Sequence, residues 1–129
     1  MNLDLLCLLA LALWGIFLNH APAIARTTRA DIQWSLGNRD TQPEVPAWVG
    51  RADRAQRNHH DNLAMIAVVI VIAQLAGQAN DITALCSGVI LGARVAHGVF
   101  YIAGIGILRS LSYATALAAM VAIAWQTLS

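Results

Sequence analysis

The sequence predicts an all-α integral membrane protein, a four-helix up-down bundle formed by a single domain over residues 1–129. Composition comes first: 58% of the 129 residues are hydrophobic and 12% are charged, against about 45–50% and about 25% in soluble domains. So few ionisable groups cannot coat a soluble surface. The apolar residues are also gathered into four runs, each near the roughly 20 residues that a membrane-crossing helix needs. The last two connectors are short, which sets successive helices antiparallel. A disordered tail and a multidomain enzyme are excluded. So is a nucleic-acid partner, because a net charge of +1 with no lysine offers no basic face for phosphate backbones.

The first span is expected at about 3–25. It runs through Leu5–Leu18 and continues weakly past Asn19, His20 and Pro22. Ala21-Pro22-Ala23 imitates a signal-peptide cleavage site, but Asn2 and Asp4 stand where such peptides carry cations, so the run reads as retained. A hydrophilic stretch over about 26–54 follows, broken by Pro43 and Pro46, with Gly37-Asn38-Arg39-Asp40 as a turn. The second span is expected at about 55–76, the polar turn Gly77–Asp81 follows, and the third span occupies about 82–105. Helical character fails at Gly104-Ile105-Gly106, the link continues to Ser110, and the fourth span covers about 110–128. Cys7 and Cys86 lie in apolar runs without CxxC spacing and read as small filler.

Charge sets the orientation. Arg26, Arg29, Arg39, Arg51, Arg54 and Arg57 fall in or beside the long link, and Arg109 falls in the link on the same side. The other side carries Asp4 and Asp81 and no cation. By the positive-inside rule both arginine-bearing links face the cytoplasm and both termini face outward.

Arg94 is the residue that composition does not explain. It lies well inside the third span, where a charge costs about 2.5–3.5 kcal/mol on insertion scales. Such a residue faces a bundle interior or a wet cavity. Arg94, His97 and Tyr101 fall on one helical face. Arg51, Arg54, Asn58 and Asp61 form a second stripe, at the start of span two. Asp61 and Arg94 are expected to pair directly or through a ligand. The competing readings are an internal ion pair that only fixes packing and, for Arg51 and Arg54, a solvated helix end at headgroup level. His59 and His60 diverge by about 100° on a helix and do not suit one metal ion; no metal is expected. Gly88 and Gly92 form a small-xxx-small pair away from the Arg94 face, suited to close helix approach. With no nucleophile elbow, phosphate loop or carboxylate pair, the residues on offer suit an anionic ligand with a polar head.

The two stripes resemble a known family. RADRAQRNHHDN at 51–62 is similar to the R-x-x-R-A-x-x-N-x-x-E motif of the MAPEG family, membrane-associated proteins in eicosanoid and glutathione metabolism. ARVAHGVFYIAGIGILRS at 93–110 is similar to that family's R-x-x-H-x-x-x-Y span and following link, G-I-P-x-L-R. GNRDTQPEVPAWVGRADRA at 37–55 looks like the first loop of a bacterial branch. The likeness covers about residues 37 to 113, with three departures: Asp61 for the usual glutamate, Asn62 where some members have tyrosine, and Gly106 for the proline.

The resemblance implies a homotrimer with glutathione, a thiol co-substrate, held between neighbouring subunits near the cytoplasmic side of a bacterial inner membrane. It also implies roles. Arg51, Arg54, Asn58, Asp61, Arg94 and His97 would bind the tripeptide. Arg109, with Ser110 or Tyr101 as hydroxyl donor, would act on the sulfur. Activity would be that of a glutathione-dependent transferase or peroxidase acting on a lipophilic small molecule that enters from membrane lipid. A family member that presents fatty acid without chemistry keeps a second class open, a non-catalytic lipid-binding or scaffold protein. A transporter is disfavoured by the lack of inverted repeats and paired broken helices.

Overall fold

A computed structural model describes residues 1–129 as five helices and no strand. Helix α1 covers Leu3–Arg29, α2 Ile32–Leu36, α3 Ala47–Leu75, α4 Asp81–Ala103 and α5 Gly106–Leu128. Asn2 caps α1 by accepting the Leu5 amide, at 3.2 Å. Pro22 lies within α1 without ending it. Helix α3 ends in a turn where Gly77 adopts positive φ and the Gln78 amide reaches back to the Ala73 carbonyl. Asn80 and Thr83 then form a reciprocal capping box at the start of α4, which satisfies amides that the first turn leaves free. Gly104, at φ 82°, closes α4 in the left-handed conformation that glycine adopts without steric cost.

Helices α3 and α4 pack together at the centre, α1 lies against both on one side, and α5 lies against both on the other. Leu11, Ile66, Ile70, Ala73, Ile90, Ala119 and Ile123 form the buried apolar core. Close approach is local and specific. A Cβ on Gly98 would stand 2.9 Å from the Trp14 ring, and one on Gly15 would stand 3.3 Å from His59. Beyond the core, long apolar side chains from all four long helices are exposed, among them Leu13, Ile16, Phe17, Val68, Leu85, Leu117 and Val121.

Helices α1, α4 and α5 are each long and apolar enough to cross a membrane. At 27 residues, α1 rises about 40 Å, more than the roughly 30 Å of hydrocarbon in a bilayer. Helix α3 does not join that set, although four spans were expected. Its apolar part, Leu63–Leu75, rises only about 20 Å, and the part before it carries Arg51, Asp53, Arg54, Arg57 and Asp61.

Two further boundaries differ from the sequence reading. Helix α3 begins at Ala47, not near 55, because helical geometry continues from Pro46 through the polar stripe. The last link is only Gly104 and Ile105: Gly106 already belongs to α5, and Arg109 and Ser110 lie in its first turns. Gly106, which stands where the family pattern has proline, thus begins a helix.

Candidate functional site

The stripes foreseen on α3 and α4 meet at one end of the molecule. Arg94 is 1% exposed, and its Nη2 donates to Asn58 Oδ1 at 2.9 Å. Asn58 is fixed in turn, because Asn62 Nδ2 donates to its carbonyl at 2.8 Å. Arg94 Nε and Nη1 have no partner at all, nor has His97 Nδ1. Buried polar atoms are normally satisfied, so orphaned donors on a buried cation point to a missing acceptor.

The direct pair between Asp61 and Arg94 does not form. The chain's one ion pair joins Arg26 to Asp53, and Asp61 is exposed. The guanidinium meets the stripe one turn earlier, at Asn58, which has no charge to offer.

Two adjoining clefts open beside this contact. One, of about 330 Å³, is lined by Asn58, His97, Tyr101, Arg109, Ser110 and Tyr113. The other, of about 150 Å³, lies among Arg51, Arg54, Tyr101, Gly104 and Arg109. Tyr101 and Arg109 border both. The Arg109 guanidinium sits over the Tyr101 ring, 4.8 Å from its centroid, in a cation–π contact. The His97 ring meets Tyr101 edge-on at 5.6 Å and lies 6.2 Å from Tyr113. No carboxylate lines either cleft. Arginines without acid partners give this end of the molecule a positive local potential.

The remaining expected residues divide. Arg51 spends its Nε on the Ile102 carbonyl, at 2.8 Å, so it ties α3 to the end of α4 while lining the smaller cleft. Arg54 lines that cleft and makes no ion pair. Ser110 Oγ donates to the Gly106 carbonyl, at 3.0 Å; its proton is engaged with its own helix, and only its lone pairs face the cleft. His59 donates through Nε2 to the Leu11 carbonyl of α1, at 3.0 Å, which gives it a packing role. Gly88 and Gly92 have open space beside them. Tyr113 was not foreseen. It lies in the apolar run of α5, and its one available signal was its position a helical turn after Arg109.

A third cavity, of about 180 Å³, lies at the opposite end among Val69, Ile72, Ala124, Thr127 and Leu128. It is apolar and has no converging polar group. The cleft around Arg109 is the candidate site.

Three bilayer-length apolar helices, and a buried arginine beside a cation-lined cleft, define a multi-pass helical membrane protein with a polar, positively charged cleft at one end. The sequence model of the MAPEG family matches residues 4–129, nearly the whole chain, and the protein belongs to that family. No curated protein and no solved structure matches the chain.

Proposed function

We propose that the protein is a membrane-embedded, glutathione-dependent transferase or peroxidase that activates the glutathione thiol toward lipophilic electrophiles. The observation that carries this reading is Arg109: a guanidinium without a carboxylate partner, stacked on Tyr101 where the two clefts meet. A free thiol has a pKa near 8.5, and lowering it by about two units needs roughly 2.7 kcal/mol of differential stabilisation. One guanidinium about 4 Å away supplies on the order of 4 kcal/mol at an effective dielectric near 20. A single arginine is enough.

In this reading Arg109 holds the thiolate, with the Tyr101 hydroxyl as a neighbouring donor and Ser110 as an acceptor. Arg94, Asn58, His97, Arg54 and Arg51 position the carboxylates and amides of the tripeptide, and Asp61 takes its amine. The thiol proton leaves to water. The sulfur lone pair then forms the new bond to the electrophilic carbon as the carbon–oxygen bond of an epoxide breaks. The electron pair of that bond stays on the oxygen, which takes a proton from water. With other electrophiles a leaving group departs as its anion, with the electron pair of its bond. The electrophile reaches the cleft from the bilayer.

Four membrane-crossing helices complete the architecture, with the exposed polar half of α3 covered by neighbouring subunits. Three copies enclose three sites, and exposed apolar faces on all four long helices leave room for both subunit contacts and lipid. The arginine-rich end faces the cytoplasm, and both termini lie outside.

Arg109→Ala is the test. In detergent-purified protein it is expected to abolish the thiolate absorbance near roughly 240 nm on adding glutathione, while glutathione binding by calorimetry persists within about fivefold. An unchanged thiolate signal removes Arg109 from the mechanism. Glutathione binding without turnover of a chloronitrobenzene by the unmodified protein would make the chain a non-catalytic lipid-binding or scaffold protein instead.

A further inference from the structure

A separate cleft, of about 320 Å³, opens between the end of α1 and the start of α3. Ala21, Ile24, Ala25 and Pro46 make its apolar wall, and Arg29 and Trp48 stand at its edge. None of these residues borders the clefts around Arg109. The two arginines in the last turn of α1 are used differently. Arg26 forks onto Asp53 of α3 through both terminal nitrogens, whereas Arg29 is exposed and pairs with no carboxylate.

The position matters as much as the charge. The apolar run of α1 gives way to polar chain at Ala25–Arg26, so the cleft sits at headgroup depth in a helix that crosses a bilayer. Tryptophan is enriched at that depth. Ile32 and Leu36 of the neighbouring short helix α2 are exposed as well, as expected of a segment lying along a lipid surface. An apolar wall beneath an unpaired guanidinium matches a glycerophospholipid, with acyl chain below and phosphate above. A guanidinium binds phosphate through two parallel hydrogen bonds. The volume falls within the roughly 300–1,000 Å³ of small-ligand sites.

We propose that this cleft binds an anionic phospholipid, its phosphate held by Arg29 and its glycerol region packed against Trp48. The site needs only that α1 cross the bilayer, and it does not depend on the thiol chemistry.

Native mass spectrometry of the whole protein in detergent, with equal amounts of phosphatidylglycerol and phosphatidylcholine, tests it. The expected result is about fivefold preferential retention of phosphatidylglycerol. Arg29→Ala should bring retention to parity without lowering Tm. Arg39→Ala removes the same charge from a side chain that lies over Trp34, outside the cleft, and should keep the preference. Survival of the preference in Arg29→Ala overturns the proposal, and so does an equal loss in Arg39→Ala, which would assign it to general charge attraction.

Discussion

The two ends of the bundle each bury a charge, and they treat it in opposite ways. At the far end Asp4 is 3% exposed and accepts from Ser87 Oγ at 2.6 Å, Gln74 Nε2 at 3.2 Å and Thr83 Oγ1 at 3.3 Å. Gln74 is held in turn by Asn2, at 2.6 Å. The carboxylate thereby ties α1 to both α3 and α4. At the arginine end Arg94 is as deeply buried, yet it has one neutral acceptor and two nitrogens with none. A buried charge with a full set of partners is a structural tie. One left short of partners, beside an open cleft, is the feature that the proposed ligand site uses.

The contrast predicts that removing each charge will move a different observable. Arg94→Leu carries the largest effect. Truncating one member of a buried, hydrogen-bonded charge pair costs a ligand about 2–5 kcal/mol, so glutathione affinity by calorimetry should fall about 30-fold or more. Stability should hold or rise, because an apolar residue in place of an under-compensated buried charge is often stabilising by about 1–4 kcal/mol. A sharp fall in Tm with affinity intact would make Arg94 a packing residue and erase the distinction.

Asp4→Ala should do the reverse. Losing an acceptor shared by three donors is worth about 2 kcal/mol, since interhelical hydrogen bonds within membranes average about 0.6 kcal/mol and those to charged groups run higher. The expected outcome is a lower Tm in detergent, with glutathione affinity unchanged within about twofold. A loss of affinity equal to that of Arg94→Leu would mean that the two ends are coupled.

How much of this was legible in the sequence depends on whether a feature lives on one helix or between two. The arrangement of Arg94, His97 and Tyr101 on one face follows from helical spacing alone; His97 and Tyr101 border the site, and Arg94 stands buried behind it, bonded to the lining residue Asn58. The arginine-rich end followed from counting charges in connectors. The partner of Arg94 did not follow, because choosing Asn58 over Asp61 needs the axial offset between α3 and α4, a single turn that no pattern within either helix records. Asp4 was read as a charge that argues against a signal peptide and helps set orientation, not as a partner of other helices. Its role needs the register of α1 against Gln74, Thr83 and Ser87, which come from two other helices. Tyr113 escaped for the same reason: it joins the cleft because α5 starts at Gly106 and follows α4 after a two-residue turn.

The smallest expected effect sharpens the comparison most, because it concerns the carboxylate that does not pair. Asp61 shares the stripe of Asn58, is exposed and contacts no cation of the chain. A solvent-exposed charge contributes about 0–1 kcal/mol to an ion pair, so Asp61→Asn should weaken glutathione binding only about threefold and leave Tm unchanged. The partner can be identified with a glutathione analogue that lacks the α-amine. If Asp61 takes that amine, the substitution should cost nothing with the analogue, and the two changes made together should be no worse than either alone. An equal loss with both ligands would mean that Asp61 acts on Arg94 across the site. The unsatisfied guanidinium would then be waiting for its own carboxylate, and the arginine end would differ from the Asp4 end only in being unfinished until the ligand draws Asp61 inward.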